Sequence, residues 1–116
     1  MSLTPKAKFE YNNKGVPVYV TQKLTLSADA GPVDLEEYLV GGLLYSVQLI
    51  SSSDDSVTFT INCGLGSELV TITTTGATAG EWAFPNDRYP INSVPNYTLS
   101  GLSAGTIQVD ITVWKG

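Results

Sequence analysis

The stretch TIQVDITVW, residues 106–114, sends Ile107, Val109, Ile111 and Val113 to one side and Thr106, Gln108, Asp110 and Thr112 to the other. A strict period of two describes a β-strand with one face on a core and one in water. VTFTIN (57–62) repeats it, with Val57, Phe59 and Ile61 opposite Thr58, Thr60 and Asn62. In PVYVTQKLTL (17–26), Val18, Val20, Leu24 and Leu26 share a face and Tyr19, Thr21, Lys23 and Thr25 take the other. LLYSVQLI (43–50), LVTITTT (69–75) and residues 97–102 are further strands, and Glu81 to Phe84 reads as a short one.

Turn-forming residues separate these runs. SSDDS reads as a hairpin between the strand ending at Ile50 and the one starting at Val57. GLGS (64–67) joins the next pair, TTGATAG breaks the chain after Thr75, and LSAG (102–105) is a tight turn with Gly105 available for positive φ. The one helical candidate is PVDLEEYLV, 32–40, where a strand is also compatible. MSLTPKAKFEYNNKG, residues 1–15, has no periodicity and reads as an extended N-terminal arm, leaving 16–116 as a single domain. Seven or so short strands, each with one apolar face, predict an all-β antiparallel β-sandwich of jelly-roll type. An immunoglobulin-like sandwich is the second choice, and a small closed barrel is the third. Charged residues make up only 15% of the chain, and 11 Ser and 13 Thr stand in their place. Threonine suits a pleated surface that faces water.

The composition argues against most catalytic chemistry. With no histidine, the commonest general base and the commonest transition-metal ligand are missing. The single cysteine, Cys63, forms no internal disulfide and reads as a small buried hydrophobe. There is no phosphate-binding glycine loop and no G-x-S-x-G elbow. Asp54-Asp55 fit a turn tip, and Glu36-Glu37 diverge on either a helix or a strand. Calcium near Asp54-Asp55 or Asn86-Asp87 lacks the spacing of a calcium loop. The expectation is a non-enzyme without cofactor or metal. A net charge of −5 speaks against nucleic acid, and no stretch resembles a membrane span. Lys6, Lys8, Lys14 and Lys23 gather in the first quarter, either as a solvated arm and strand or as a contact for an acidic surface.

EWAFPNDRYPINSVPNY, residues 81–97, concentrates Trp82, Phe84, Tyr89, Tyr97, the only arginine (Arg88) and three of the six prolines. Pro85, Pro90 and Pro95 each fix φ and constrain the preceding residue, so the segment is a stiff, irregular crossover. Two readings compete: Trp82 and Phe84 close the end of the sandwich, or the segment is a docking loop. Trp82, Phe84, Asn86, Asp87, Arg88 and Tyr89 combine the rings, guanidinium and hydrogen-bonding groups favoured at interfaces. Lys6, Lys8, Phe9 and Tyr11 on the arm complete the candidate partner-binding set. Threonine-rich strand faces with few charges suit a domain whose edges neighbours cover, that is, a homo-oligomer.

GLLYSVQLISSSDDSVTFTI, TITTTGATAGEWAFPNDRYPI and YTLSGLSAGTIQVDITVWKG together resemble small virion proteins of tailed bacteriophages. The likeness lies in the order of strand, polar turn, aromatic and proline crossover, and closing strand, over roughly residues 17–116. It implies a capsid decoration (cement) protein, made in the host cytoplasm and seated on the capsid surface. Its partners would be the major capsid protein and, in a dimer or trimer, copies of itself. It transfers no individual residue role. The alternatives are a tail or connector component, and a carbohydrate- or receptor-binding module. In the latter, Trp82 and Tyr89 would stack on sugar rings while Asn86, Asp87 and Arg88 bond hydroxyls.

Overall fold

A computed structural model describes residues 18–63, 67–83 and 90–115. The strands are β1 (Tyr19–Leu26), β2 (Ala30–Asp34), β3 (Leu43–Ser51), β4 (Ser56–Cys63), β5 (Ser67–Thr75), β6 (Thr78–Ala83), β7 (Pro95–Ser100) and β8 (Ile107–Trp114). They form two antiparallel four-stranded sheets, ordered β1-β8-β3-β6 and β2-β7-β4-β5. Of the links between successive strands, only β4–β5 stays within one sheet; every other passes from sheet to sheet. This double crossing is the jelly-roll arrangement. It agrees with the first choice from sequence and rules out the immunoglobulin-like connectivity.

The alternating faces meet between the sheets. Leu44, Val47, Leu49, Ile107, Val109, Ile111 and Val113 of the first sheet pack on Val57, Phe59, Ile61, Ile72, Tyr97 and Leu99 of the second, all of them buried. Phe59 stacks on Tyr97 with ring centroids 5.7 Å apart. Outside, the β4–β5 pair carries a threonine ladder: Thr58 bonds Thr73 at 3.3 Å and Thr60 bonds Thr71 at 3.2 Å between hydroxyls. Such cross-strand pairs let β-branched residues stabilise a solvated face without charge.

β3 departs from simple alternation. Its pairing with β8 moves from Leu44↔Val113 to Ser46↔Thr112, so Tyr45 is an extra residue. This bulge reverses the phase, and Leu44 before it and Val47 and Leu49 after it are all buried. Bulges re-aim side chains; here the Tyr45 ring meets Tyr19 edge to face, with centroids 5.1 Å apart.

Two sequence expectations are corrected. SSDDS is not a hairpin. β3 belongs to one sheet and β4 to the other, and the segment carries the chain across the end of the sandwich. Its serines make that corner: the Ser53 N–H donates to Ser51 Oγ at 3.1 Å and the Asp55 N–H donates to Ser53 Oγ at 3.0 Å. Side-chain acceptors two residues back bend the backbone as effectively as a hairpin turn does. The helical candidate at 32–40 is instead the end of β2 followed by a 3-10 turn, Glu37–Leu39. Pairing with β7 takes up Val33 and Asp34, and Leu39 is buried in the core.

Candidate functional site

The two ends of the sandwich are built differently. At one end the connections are short and tied together. Asp29, between β1 and β2, accepts the N–H groups of Leu102 at 2.7 Å and Gly101 at 3.2 Å. Asp55 Oδ2 accepts the Ser103 N–H at 2.7 Å, the Ser103 hydroxyl at 2.9 Å and the Ala104 N–H at 3.1 Å. These bonds, led by the Ser103 N–H, hold the Asp55 carboxyl down at about 2. Asp55 is thus half of a clamp on the β7–β8 turn. Gly105 takes positive φ there, as expected, and so does Gly101. Among the described residues no group of three or more His, Cys, Asp or Glu is placed to hold a metal.

The opposite end takes every longer excursion. The chain enters there at Val18, whose carbonyl accepts the Lys115 N–H at 2.7 Å. β4 ends and β5 begins there, at Cys63 and Ser67. β6 runs antiparallel to β3 toward this end, and the chain returns at Pro90, which bridges to Leu43. Ile91 locks the return: its N–H donates to Gly42 O at 2.9 Å, its carbonyl accepts the Gly41 N–H at 2.8 Å, and its side chain is buried. Cys63 is half-buried rather than fully buried, with Sγ 3.5 Å from the Ser93 carbonyl.

Of the ten partner-binding residues expected from sequence, Trp82 alone lies among the described residues. Phe84, Asn86, Asp87, Arg88, Tyr89, Lys6, Lys8, Phe9 and Tyr11 lie outside them, as does the 1–15 arm. Trp82 does not plug the end of the sandwich. It stands on the outer face of β6, paired with Gln48 of β3, and is 53% exposed.

Trp82 borders a groove of about 630 Å³ over the outer face of the β1-β8-β3-β6 sheet. The pairing register sets its floor. Lys23 pairs with Asp110, Asp110 with Gln48, and Gln48 with Trp82, so one row crosses all four strands. Lys23 Nζ donates to Asp110 Oδ2 at 3.0 Å, and the hydroxyls of Thr21 and Thr112, in the next row, lie 3.2 Å apart. Glu36 and Tyr38, around the 3-10 turn, line the side next to β1. The Glu36 N–H donates to Gln22 Oε1 at 2.9 Å, fastening that segment to β1. Partial burial, then the Glu36 carboxylate, pushes the Tyr38 phenol up from its ordinary value, so it stays a neutral hydroxyl. Sequence reading identified only Trp82 in this group. Tyr19 and Asp110 read as ordinary outward positions and Gln48 as one residue of a strand, because nothing local shows which strands lie side by side.

No protein family and no curated protein matches the sequence. Among solved structures, the fold is similar to a chain from work described as "Bacillus endospore appendages form a novel family of disulfide-linked pili". The TM-score is 0.49 at 15% identity, over 92% of this chain and 96% of that one. A likeness at this level carries no functional argument.

Proposed function

We propose that this protein is a structural component of a tailed-phage virion, a decoration (cement) protein that docks on the major capsid protein and associates with copies of itself. The observation that carries this reading is the asymmetry of the jelly roll. Asp29 and Asp55 close one end, while Val18 and Pro90, the described residues next to the arm and the crossover, lie at the other. In this reading the arm, 1–15, and the crossover bearing Arg88 and Tyr89 act together from that end. The mechanism is clamping: those segments bury surface across joints between capsid subunits, and the sandwich holds them in register. The threonine-laddered face of β4 and β5, which carries little charge, tolerates neighbours.

The test is co-sedimentation of the full-length protein with shells of its cognate major capsid protein, followed by heating of loaded and bare shells. Binding that raises the temperature of shell rupture, and that falls on deletion of residues 1–15 or in an Arg88→Ala, Tyr89→Ala double variant, supports the proposal. Failure to co-sediment, or equal rupture temperatures, would sink it.

A further inference from the structure

The groove on the outer face of the β1-β8-β3-β6 sheet reaches toward the end invoked above at Tyr19, but its chemistry is different. We infer that it is a binding site for an uncharged saccharide chain, laid across the strands between Trp82 on one side and Tyr19 and Tyr38 on the other.

Charge comes first. The cation and anion of the floor, Lys23 and Asp110, are paired at 3.0 Å. Among the described residues of the lining, the other charged group is the Glu36 carboxylate, which is itself engaged. An anionic ligand would have to compete with Asp110 for Lys23, and a cationic ligand would have to compete with Lys23 for Asp110. A neutral ligand that donates and accepts many hydrogen bonds displaces neither partner.

The second argument is where the hydrogen-bonding groups come from. β8 and β3 lie inside the sheet, so their backbone donors and acceptors are taken up by neighbouring strands. A peptide bound as an added strand needs a free strand edge, and this groove runs across the strands. What it offers is side chains: the Gln48 amide, the Asp110 carboxylate, and the hydroxyls of Thr21 and Thr112. Spaced polar groups between aromatic rings match a ligand that alternates C–H faces with hydroxyl edges.

Fit is the third argument. Adjacent strands lie about 4.8 Å apart, so the row from Lys23 to Trp82 spans about 14 Å, enough for two or three sugar rings. The volume of about 630 Å³ falls inside the usual range for ligand sites. The rings at the edges are positioned: Tyr19 by the bulged Tyr45, 5.1 Å away, and Trp82 by its place opposite Gln48. Gly80 keeps the Trp82 side open. A Cβ there would come within 2.9 Å of Gln48 Nε2 and 3.8 Å of Trp82 Nε1.

The experiment uses the full chain and a panel of neutral oligosaccharides (cellohexaose, chitohexaose, maltohexaose and laminarihexaose) with hyaluronan and heparin fragments as charged controls. Binding is followed by tryptophan fluorescence and by amide shifts. The expected result is saturable binding of at least one neutral member with a dissociation constant near or below about 1 mM. Trp82→Ala and Gln48→Ala should each weaken it tenfold or more, and Gly80→Val should weaken it by narrowing the groove, with melting temperatures unchanged. The inference is overturned by binding of the charged fragments alone, by no binding across the panel, or by binding that survives both Trp82→Ala and Gln48→Ala. It is also overturned if Trp82→Ala abolishes self-association, since the occupant would then be a second copy. Capsid binding is not a readout here, so failure of this inference leaves the docking proposal standing, and the converse.

Discussion

Asp55 and Ser103 lie 48 residues apart in sequence and are joined by two hydrogen bonds to one oxygen, at 2.7 Å from the Ser103 N–H and 2.9 Å from its hydroxyl. The contact links the β3–β4 crossover to the β7–β8 turn. It is strongest while Asp55 is ionised, because a carboxylate is acceptor-only and its charge strengthens each bond it accepts.

Acid should therefore loosen this end first. The folded-state pKa of Asp55 is lowered from 3.8 to about 2. A depressed carboxyl contributes stability that is complete above its unfolded pKa and lost as pH falls through the folded one. The expected loss lies between about pH 4 and pH 2. In thermal melts across that window, Asp55→Asn should start from a lower melting temperature at neutral pH and show a flatter acid limb than the parent. Parallel acid limbs would contradict the assignment.

Gly101 should not tolerate a side chain. Its φ is +93°, and a Cβ would sit 2.3 Å from the Ser56 carbonyl oxygen. Gly101→Ala should lose about 2 kcal/mol or more, from strain and the backbone clash together. Gly31 has nothing within 4 Å of the equivalent point, so Gly31→Ala should change stability by no more than about 0.5 kcal/mol. Urea unfolding of the two variants side by side checks the contrast.

Thr74 is a place where the protein can be improved. Its Oγ1 is buried with no partner among the described residues, in a strand position opposite Val57. Thr74→Val keeps the shape, favours a strand and removes the unsatisfied hydroxyl. It should raise stability by about 1 kcal/mol, read from the urea midpoint at constant slope. A lower midpoint would mean that the hydroxyl has a partner in solution.

Among the described residues Phe59 is the largest fully buried side chain, stacked against Tyr97. Phe59→Ala should cost about 3–5 kcal/mol, combining lost transfer energy with the cavity left behind. Phe59→Leu should recover much of that. Chemical denaturation measures both.

Several features were legible in the residues. The inward faces of β4 and β8 match the alternation letter for letter: Val57, Phe59 and Ile61, and Ile107, Val109, Ile111 and Val113 are all buried. Gly105 was identified as a positive-φ position, and its φ is +95°. Other features escaped. SSDDS contains the residues of a hairpin tip, yet Asp55 spends its carboxylate on a loop 48 residues away. The bulge at Tyr45 is invisible in LLYSVQLI, because an unpaired residue is defined only against its partner strand. PVDLEEYLV has the polarity of a helix, but pairing with β7 draws its start into a sheet.

The sequence by itself determined that this chain makes strands, which side of most of them turns inward, and that those apolar sides must meet in a shared core. Period two is a local property of each strand and needs no knowledge of the others. Only the tertiary structure decided which strands lie side by side, and with that the row Lys23–Asp110–Gln48–Trp82, gathered from four strands into one groove. Strand order results from closing long loops around a shared core, and its energy is not written in any single segment.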